Sequence, residues 1–257
     1  MCALLASHDV GFPADDLLGL WEVGAAQHPL DRAITILAAA EPGLRREELA
    51  RLPCGRRDER LLRVYERAFG SQLVGQGHCP DCQAHVEFAL DVRDLLAAAG
   101  DAGPAEPWTV EADGYSATCR LPDSFDLAAI AGMSDVTEAR EALVRRCVVQ
   151  ASREGAEVAP QRVPEDFIAL VAEGMEARDP LAAIELKLEC PVCGARWQLT
   201  FDIVPFIWLR VEAQARRLLH EVHSLASAYG WREVDILAMT PDRRQAYLEM
   251  VSSCQTF

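Results

Sequence analysis

Two short cysteine clusters decide the fold expected for this chain: Cys79-Pro80-Asp81-Cys82 and Cys190-Pro191-Val192-Cys193-Gly194. The two-residue spacer lets both thiolates of a tight turn face one ion, and the Pro and Gly residues favour the bend. Each cluster has the form of a zinc knuckle, which supplies two of the four ligands of a tetrahedral ion. Since the chain contains two knuckles and no third, the sequence predicts one shared structural zinc site. Its predicted ligands are Cys79, Cys82, Cys190 and Cys193.

The residues on both sides of each knuckle alternate between apolar and polar side chains, as they do on half-buried strands. The alternating apolar positions are Val86, Phe88, Leu90 and Val92 after the first knuckle, Ile184, Leu186 and Leu188 before the second, and Trp197, Leu199, Phe201 and Ile203 after it. Strand, knuckle, strand is the plan of a zinc ribbon. The two cysteine pairs of such ribbons are commonly about 15 to 20 residues apart. Here residues 83 to 189 intervene, so the metal is predicted to connect distant parts of the chain. In principle a cross-link stabilises the folded state most when it closes a long loop.

Two other interpretations of the clusters stay open at this point. One is a cytosolic dithiol redox pair, and the other is a set of buried or unpaired thiols. A redox motif is expected at a helix N-terminus after a strand, whereas these clusters lie between two predicted strands. The pattern therefore favours structural zinc.

The bulk composition describes an acidic globular protein. Half of the 257 residues are hydrophobic, which is enough to bury a core as one large domain or two small ones. The net charge of −15 repels phosphate backbones and anionic membrane surfaces, which argues against nucleic-acid and membrane partners. No apolar run approaches the ~20 residues that span a bilayer. We expect a soluble protein.

The use of cysteine indicates a reducing compartment. Nine cysteines are an odd number, and the five outside the knuckles have no framework spacing. These five are Cys2, Cys54, Cys119, Cys147 and Cys254. The start of the chain lacks a basic segment followed by a long apolar one, so no secretory signal is predicted. The expected location is the cytoplasm.

Helical patterns cover most of the remaining chain and predict a mostly helical α+β fold. The predicted helices include a pair over 13–40, a charged helix over 57–69, one over 135–151 and a long one that ends at Gly230. On the 57–69 helix a solvent-exposed face is predicted, formed by Arg56, Arg57, Glu59, Arg60, Arg63 and Glu66. One additional β-hairpin is predicted over Trp108–Leu121, because Asp113-Gly114 suits a tight turn with two positive φ angles.

A linker at Gly100–Pro104 divides the chain into two predicted parts. Residues 1–100 are a helical half that ends in the first knuckle hairpin. Residues 101–257 contain the β-hairpin, further helices, the second knuckle hairpin and the C-terminal helices. The order helix, helix, strand, knuckle, strand occurs in both parts and is compatible with an internal duplication. We expect one compact unit, joined by the shared zinc site.

No stretch of the sequence indicates an enzyme. His220-Glu221-Val222-His223 superficially resembles a metalloprotease motif, but that motif needs histidines four residues apart, and here they are three apart. Neither a glycine-rich phosphate loop nor a nucleophile elbow is present. A zinc ion with four cysteine ligands has no open position for substrate, so its predicted role is structural.

Several stretches at the two ends of the chain and before the first knuckle form one further pattern: Leu17–Glu22, His28–Ala33, Arg57–Leu62 through Phe69-Gly70, Trp208–Glu212, Ala215–His223, Tyr229–Trp231, Ile236–Met239, Arg243-Arg244 and Tyr247-Leu248. Together they resemble the T-even phage-type baseplate hub assembly chaperones of contractile phage tails and related injection systems. The resemblance implies a non-enzymatic factor that helps the baseplate hub or spike to assemble in the cytoplasm. It implies hub or spike proteins as partners, and the zinc site rests on the spacing of the cysteines alone.

Two other functions stay open on sequence grounds. One is a structural baseplate subunit that remains in the particle. The other is a zinc-ribbon regulator that binds nucleic acid, for which a clustered basic helix face is expected. Arg216-Arg217 and Arg243-Arg244 are too few to form such a face.

Overall fold

Helices dominate the computed structural model, which describes residues 12–99 and 106–254. Helices α1 to α11 are, in chain order, Ala14–Ala25, Pro29–Ala40, Arg46–Ala50, Cys54–Phe69, Val92–Ala99, Ser124–Ile130, Val136–Cys147, Glu165–Arg178, Ile203–Tyr229, Glu233–Leu237 and Pro241–Cys254. Strands β1 to β8 are Gln72–His78, His85–Asp91, Trp108–Ala112, Tyr115–Cys119, Val148–Arg153, Ala156–Glu157, Ile184–Glu189 and Arg196–Phe201. Short 3-10 helices lie at Pro160–Arg162 and Pro180–Ala183. The predicted class, α+β and mostly helical, is confirmed.

Each knuckle connects the two strands of its own antiparallel hairpin, as predicted. β1 pairs with β2 so that His78 lies opposite His85 at the knuckle end, and β7 pairs with β8 so that Glu189 lies opposite Arg196. Both hairpins are separate two-stranded sheets. Since an isolated hairpin has marginal stability, each one depends on the packing of its apolar face and on what joins its tip to the rest of the molecule.

The additional β-hairpin is confirmed, and it is part of a larger sheet. Its turn residues Asp113 and Gly114 have φ angles of 50° and 77°, the left-handed values that the sequence predicted. The sheet has four strands in the order β3-β4-β5-β6.

The helix predicted over 135–151 was wrong over its last four residues. Helix α7 ends at Cys147, and residues 148–153 form β5, which pairs with β4 from Tyr115 to Cys119. Val148 and Ala151 are buried in this sheet, whereas Val149 is exposed. β-branched residues such as Val148 and Val149 favour strands and lower helix propensity only slightly, and pairing with β4 decides for the strand.

Two main hydrophobic cores organise the described residues. The larger contains residues of α1 to α4, of both knuckle hairpins and of the N-terminal half of α9. The second packs α7 and α8 against the four-stranded sheet. The larger core therefore joins segments from both ends of the chain. The predicted linker Gly100–Pro104 lies outside the described residues, and the division at residue 100 stays a prediction.

Helix α9 is attached to the larger core through Trp208. The Trp208 ring lies so close to Gly24, near the end of α1, that a Cβ atom at Gly24 would be 2.5 Å from it. Arg32 stacks over the same ring at 4.6 Å and donates a hydrogen bond to the Gly24 carbonyl. Gly24 therefore permits the close contact of α1 and α9.

The C-terminal half of α9 forms a smaller core with α10 and α11. Val222, Leu225 and Ile236 are its buried centre. Arg244 of α11 is buried as well, and it pairs with Glu221 of α9 at 3.1 Å. Gly230 has a φ of 69° and ends α9, as the sequence predicted.

One residue of the solvent-exposed face predicted on α4 is buried. Arg57 is 5% exposed, pairs with Asp58 at 2.7 Å and donates a hydrogen bond to Ser124 at 3.3 Å. The prediction failed because the chain around Pro122 packs over the first turn of α4, where the Cys54 N–H donates to the Pro122 carbonyl. A helical charge pattern cannot reveal a neighbour that comes from a distant segment.

None of the helices in the described part of the chain has the length and apolar character that crossing a membrane requires.

Candidate metal centre

The fold brings the four knuckle cysteines to one point. Their sulfur atoms all lie within 4.8 Å of one another. Two contacts cross between the hairpins, Cys79 Sγ to Cys193 Sγ and Cys82 Sγ to Cys190 Sγ, and each measures 3.6 Å. Four Zn–S bonds of about 2.3 Å would place the sulfur atoms about 3.8 Å apart. The cluster therefore has the dimensions of a tetrahedral metal site, and none of its thiols is in a disulfide.

The two knuckles have the same backbone conformation. In the first, the Cys79 N–H donates to the Ala84 carbonyl, and the Gln83 N–H donates to the Cys79 carbonyl. In the second, the corresponding bonds run from Cys190 to Ala195 and from Gly194 to Cys190. The residue after the second cysteine has a positive φ in both turns, 58° at Gln83 and 75° at Gly194. Glycine adopts this conformation without strain, which explains its use in the second knuckle.

An aspartate lies between the strand that leaves each knuckle and the helix that follows, at the last position of β2 and directly after β8. Asp91 and Asp202 each lie nine residues after the second cysteine of their knuckle. Asp91 accepts a hydrogen bond from the Arg93 N–H, and Asp202 accepts one from the Val204 N–H, both at 2.9 Å. A side-chain acceptor at this position satisfies a free N–H group of the first helical turn. Both hairpins are thereby anchored to helices of the larger core.

A small apolar cluster surrounds the inner half of the cysteine site. Cys79, Cys190 and Val86 form its buried centre, and Trp197 packs against them. Cys82 and Cys193, by contrast, are exposed. Each knuckle therefore contributes one buried and one exposed thiol.

Local hydrogen bonds favour a thiolate at one position of the cluster. The backbone N–H groups of Cys193 and Val192 lower the pKa of Cys190 to about 7. The Ala195 N–H acts in the same direction on Cys193, but the neighbouring thiols and desolvation together raise the pKa of Cys193 to about 12. Without a cation the four thiols cannot all ionise together, and a bound metal ion supplies the charge that lets them do so.

The arrangement suits a metal with a structural role. Four sulfur ligands fill a tetrahedral coordination sphere, so such a site leaves no position for substrate or water. A metal ion there would join two hairpins whose cysteines are more than 100 residues apart in sequence. The sequence predicted which residues share the site, and the structure supports their proximity.

The other described cysteines are unsuited to nucleophilic chemistry. Cys54, Cys119 and Cys147 are buried. Desolvation raises the pKa of Cys54 and of Cys147 to about 12 and that of Cys119 to about 11. All three stay protonated at neutral pH. Cys2 and the side chain of Cys254 lie outside the described part of the protein.

The histidine pair at 220 and 223 takes no part in the cysteine site. Both histidines are exposed on α9, and the intervening Glu221 pairs with Arg217 and Arg244. This stretch is part of the surface of α9.

Sequence reasoning missed a second polar cluster, which lies at the N-terminus of α4. Asp179 accepts a hydrogen bond from the Gly55 N–H at 2.9 Å, and the pair is buried. Burial also raises the pKa of Asp58, although its partner Arg57 acts in the opposite direction. Nothing in the local pattern indicated that Asp179 contacts α4.

Fold and site together define a mostly helical α+β protein with a four-cysteine centre divided between two hairpins. A comparison with protein-family models matches residues 35–208, more than half of the chain, to the family described as T4 bacteriophage base plate protein. This chain belongs to that family. Comparisons with curated proteins and with solved structures gave no match.

The matched residues cover the middle of the chain. They include both knuckles and the stretch from Arg57 to Gly70 that carried part of the sequence resemblance. The N-terminal stretches Leu17–Glu22 and His28–Ala33 lie outside the match, and so does the C-terminal region after Trp208. The family assignment therefore rests on the region that contains the cysteine centre.

Proposed function

We propose that this protein is a non-enzymatic, chaperone-like assembly factor for the baseplate hub of a contractile phage tail or contractile injection system. The observation that carries the proposal is the family match over residues 35–208, since a baseplate protein acts together with other baseplate proteins. The proposed partners are the hub or spike proteins. An acidic protein with a net charge of −15 is suited to covering an exposed edge or apolar patch of such a partner until assembly buries it.

A structural baseplate subunit is the alternative that the family match supports equally. The two functions differ in where the protein is found after assembly. The deciding experiment is quantitative mass spectrometry of the protein in the producing-cell lysate and in purified particles, together with particles from a deletion strain. Presence in the lysate, absence from particles and loss of hubs in the deletion strain would support the assembly factor. Retention at fixed stoichiometry would instead identify a subunit, and normal particles from the deletion strain would contradict both functions.

We further propose that Cys79, Cys82, Cys190 and Cys193 bind one structural Zn²⁺ per chain. The support is the 3.6 Å spacing between thiols of the two hairpins and the all-sulfur ligand set, which zinc favours in structural sites. The ion would hold the tips of the two hairpins together. It would thereby stabilise the larger core, which contains residues from both hairpins.

The proposed lack of enzymatic activity has chemical support. A four-cysteine zinc site has no open coordination position. The buried thiols Cys54, Cys119 and Cys147 have raised pKa values and are poor nucleophiles. Action in the cytoplasm is proposed on similar grounds, because a cluster of reduced thiols suits a reducing compartment.

A further inference from the structure

We propose that the cysteine cluster is also a site of reversible oxidation, at which hydrogen peroxide converts the metal-free thiols into two disulfides between the hairpins, Cys79–Cys193 and Cys82–Cys190. The proposal concerns the same cluster as the proposed zinc site, in its metal-free form. It implies that the hairpins have a second, covalent means of staying joined.

The contacts between thiols determine the proposed pairing. Cys79 and Cys193 approach to 3.6 Å, and so do Cys82 and Cys190, although each pair joins two different hairpins. A disulfide needs a sulfur–sulfur distance of about 2.05 Å and β-carbons about 3.5 to 4.5 Å apart. Each pair must therefore shorten its sulfur–sulfur distance from 3.6 Å by about 1.5 Å to form the bond. The two thiols of one knuckle also lie within 4.8 Å of each other, but the 3.6 Å contacts between the hairpins are the ones that the proposal assigns to disulfides.

Exposure identifies the thiols that meet the oxidant first. Cys82 and Cys193 are exposed, whereas Cys79 and Cys190 are only 0% and 2% exposed. Each exposed thiol lies beside the buried thiol of the other hairpin. An accessible thiol with a second thiol next to it is the arrangement in which oxidation leads to a disulfide.

The chemistry is balanced with peroxide as the only oxidant. One thiol of each pair attacks one oxygen of H₂O₂ and gives up its proton, the O–O bond breaks, and a sulfenic acid and one water form. The neighbouring thiol of the other hairpin then attacks the sulfenic sulfur, the S–O bond breaks, and a second water leaves as the S–S bond forms. Two rounds consume two H₂O₂ and four thiols and release four waters. A dithiol reductant reverses the change by thiol–disulfide exchange.

The proposed disulfides would hold the two hairpins together in place of the proposed metal ion. Each would join residues more than 100 positions apart, so each would close a long loop of the unfolded chain. Disulfides within a knuckle would close only a very short loop and would leave the hairpin tips unconnected. The pairing therefore decides whether oxidation preserves or opens the connection between the hairpins.

The chain is well suited to a direct test by trypsin digestion. Cleavage after Arg67, Arg93, Lys187 and Arg196 places both cysteines of the first knuckle on the peptide 68–93 and both of the second on the peptide 188–196. The wild-type protein is stripped with a chelator, treated with a small excess of H₂O₂, alkylated under denaturing conditions and digested without reductant. The proposal expects the two peptides to be joined, with a mass four hydrogens below their sum, and to separate after reduction.

Two results would overturn the proposal. One is a pair of separate peptides that are each two hydrogens lighter, which indicates disulfides within the knuckles. The other is oxidation to sulfinic acids without any joined peptide.

A variant assigns the individual bonds. Cys82→Ser should leave Cys79 joined to Cys193 and Cys190 free to be alkylated, whereas a Cys79–Cys190 bond in this variant would contradict the pairing. The buried Cys119 and Cys147 serve as internal controls that should remain reduced. Zinc content is measured before the chelator is added. A protein without zinc would refute the proposed metal site, whereas the peptide masses alone decide on the disulfides.

Discussion

The backbone N–H of Gly55 donates a 2.9 Å hydrogen bond to the carboxylate of Asp179, which lies 124 residues further along the chain. Gly55 is in the first turn of α4, where N–H groups have no partner within the helix. The residue before α4 is Pro53, whose side chain accepts no hydrogen bond. Asp179 therefore caps α4 from the other side of the sequence and connects the segment before the second knuckle to the helix before the first.

Gly55→Ala should destabilise the protein by about 1 to 3 kcal/mol, the usual cost of inserting a methyl group into a packed site. The added Cβ would lie 1.9 Å from Asp179 Oδ1 and 2.9 Å from the backbone nitrogen of Ala182, so both must move. The free energy of unfolding from urea titration measures the effect. Gly19→Ala on α1 is the matched control, because its Cβ would meet no atom within 4 Å. It should be neutral or stabilising, and equal losses in both variants would contradict the packing argument.

Asp179→Asn should change how stability depends on pH. Burial raises the pKa of Asp179 above its ordinary value, although the Gly55 N–H opposes the shift. A carboxyl whose folded pKa is raised contributes stability at low pH that is lost as pH rises from the ordinary value, about 3.9, through the folded pKa. The wild type should therefore lose stability relative to Asp179→Asn between pH 4 and pH 7, measured as urea midpoints. A constant difference between the two proteins over this range would show that the shift is absent.

Asp126 should have the opposite effect on acid stability. Burial alone would raise its pKa, but hydrogen bonds from Arg120 and from the Asp123 N–H, together with the charges of Arg120 and Arg146, lower it. The ionised carboxylate stabilises the folded state above the ordinary pKa of Asp126. This stabilisation is lost as pH falls through the lowered pKa of the folded state. Asp126→Asn should thus lose less stability than the wild type when the pH falls from 5 to 2. A steeper loss in the variant would refute this assignment.

Metal binding should depend on both knuckles. Purified protein should contain about one zinc per chain, and Cys82→Ser or Cys193→Ser should each abolish stoichiometric binding, since three ligands leave the tetrahedral site incomplete. Elemental analysis by plasma mass spectrometry measures the content. Chelation should also lower the melting temperature of the wild type, because the ion closes a long loop. Cys119→Ala, which removes a thiol outside the cluster, should retain the metal; full metal in either serine variant would disprove the shared site.

Nucleic-acid binding should be absent near physiological salt. The net charge of −15 removes the electrostatic attraction that supplies most non-specific affinity. A gel-shift titration with duplex DNA and with single-stranded RNA tests this expectation. A shift that weakens as salt rises would favour the zinc-ribbon regulator over the baseplate function.

Local features of the chain were predictable from neighbouring residues. The Asp113-Gly114 turn, the end of α9 at Gly230 and the strands around both knuckles all follow from propensity and period, and the structure confirms them. The end of α7 was not predictable in this way. Residues 148–151 satisfy a helical pattern about as well as an extended one, and only pairing with β4 decides between them.

By itself the sequence determined the two knuckles and the mostly helical α+β class, because each depends on residues within a few positions of one another. Only the tertiary structure decided that the four thiols lie within 4.8 Å of one another, that Arg57 is buried and that Asp179 caps α4. Each of these contacts joins segments that are far apart in the chain. Their formation depends on the packing free energy of the whole core, which no local pattern contains.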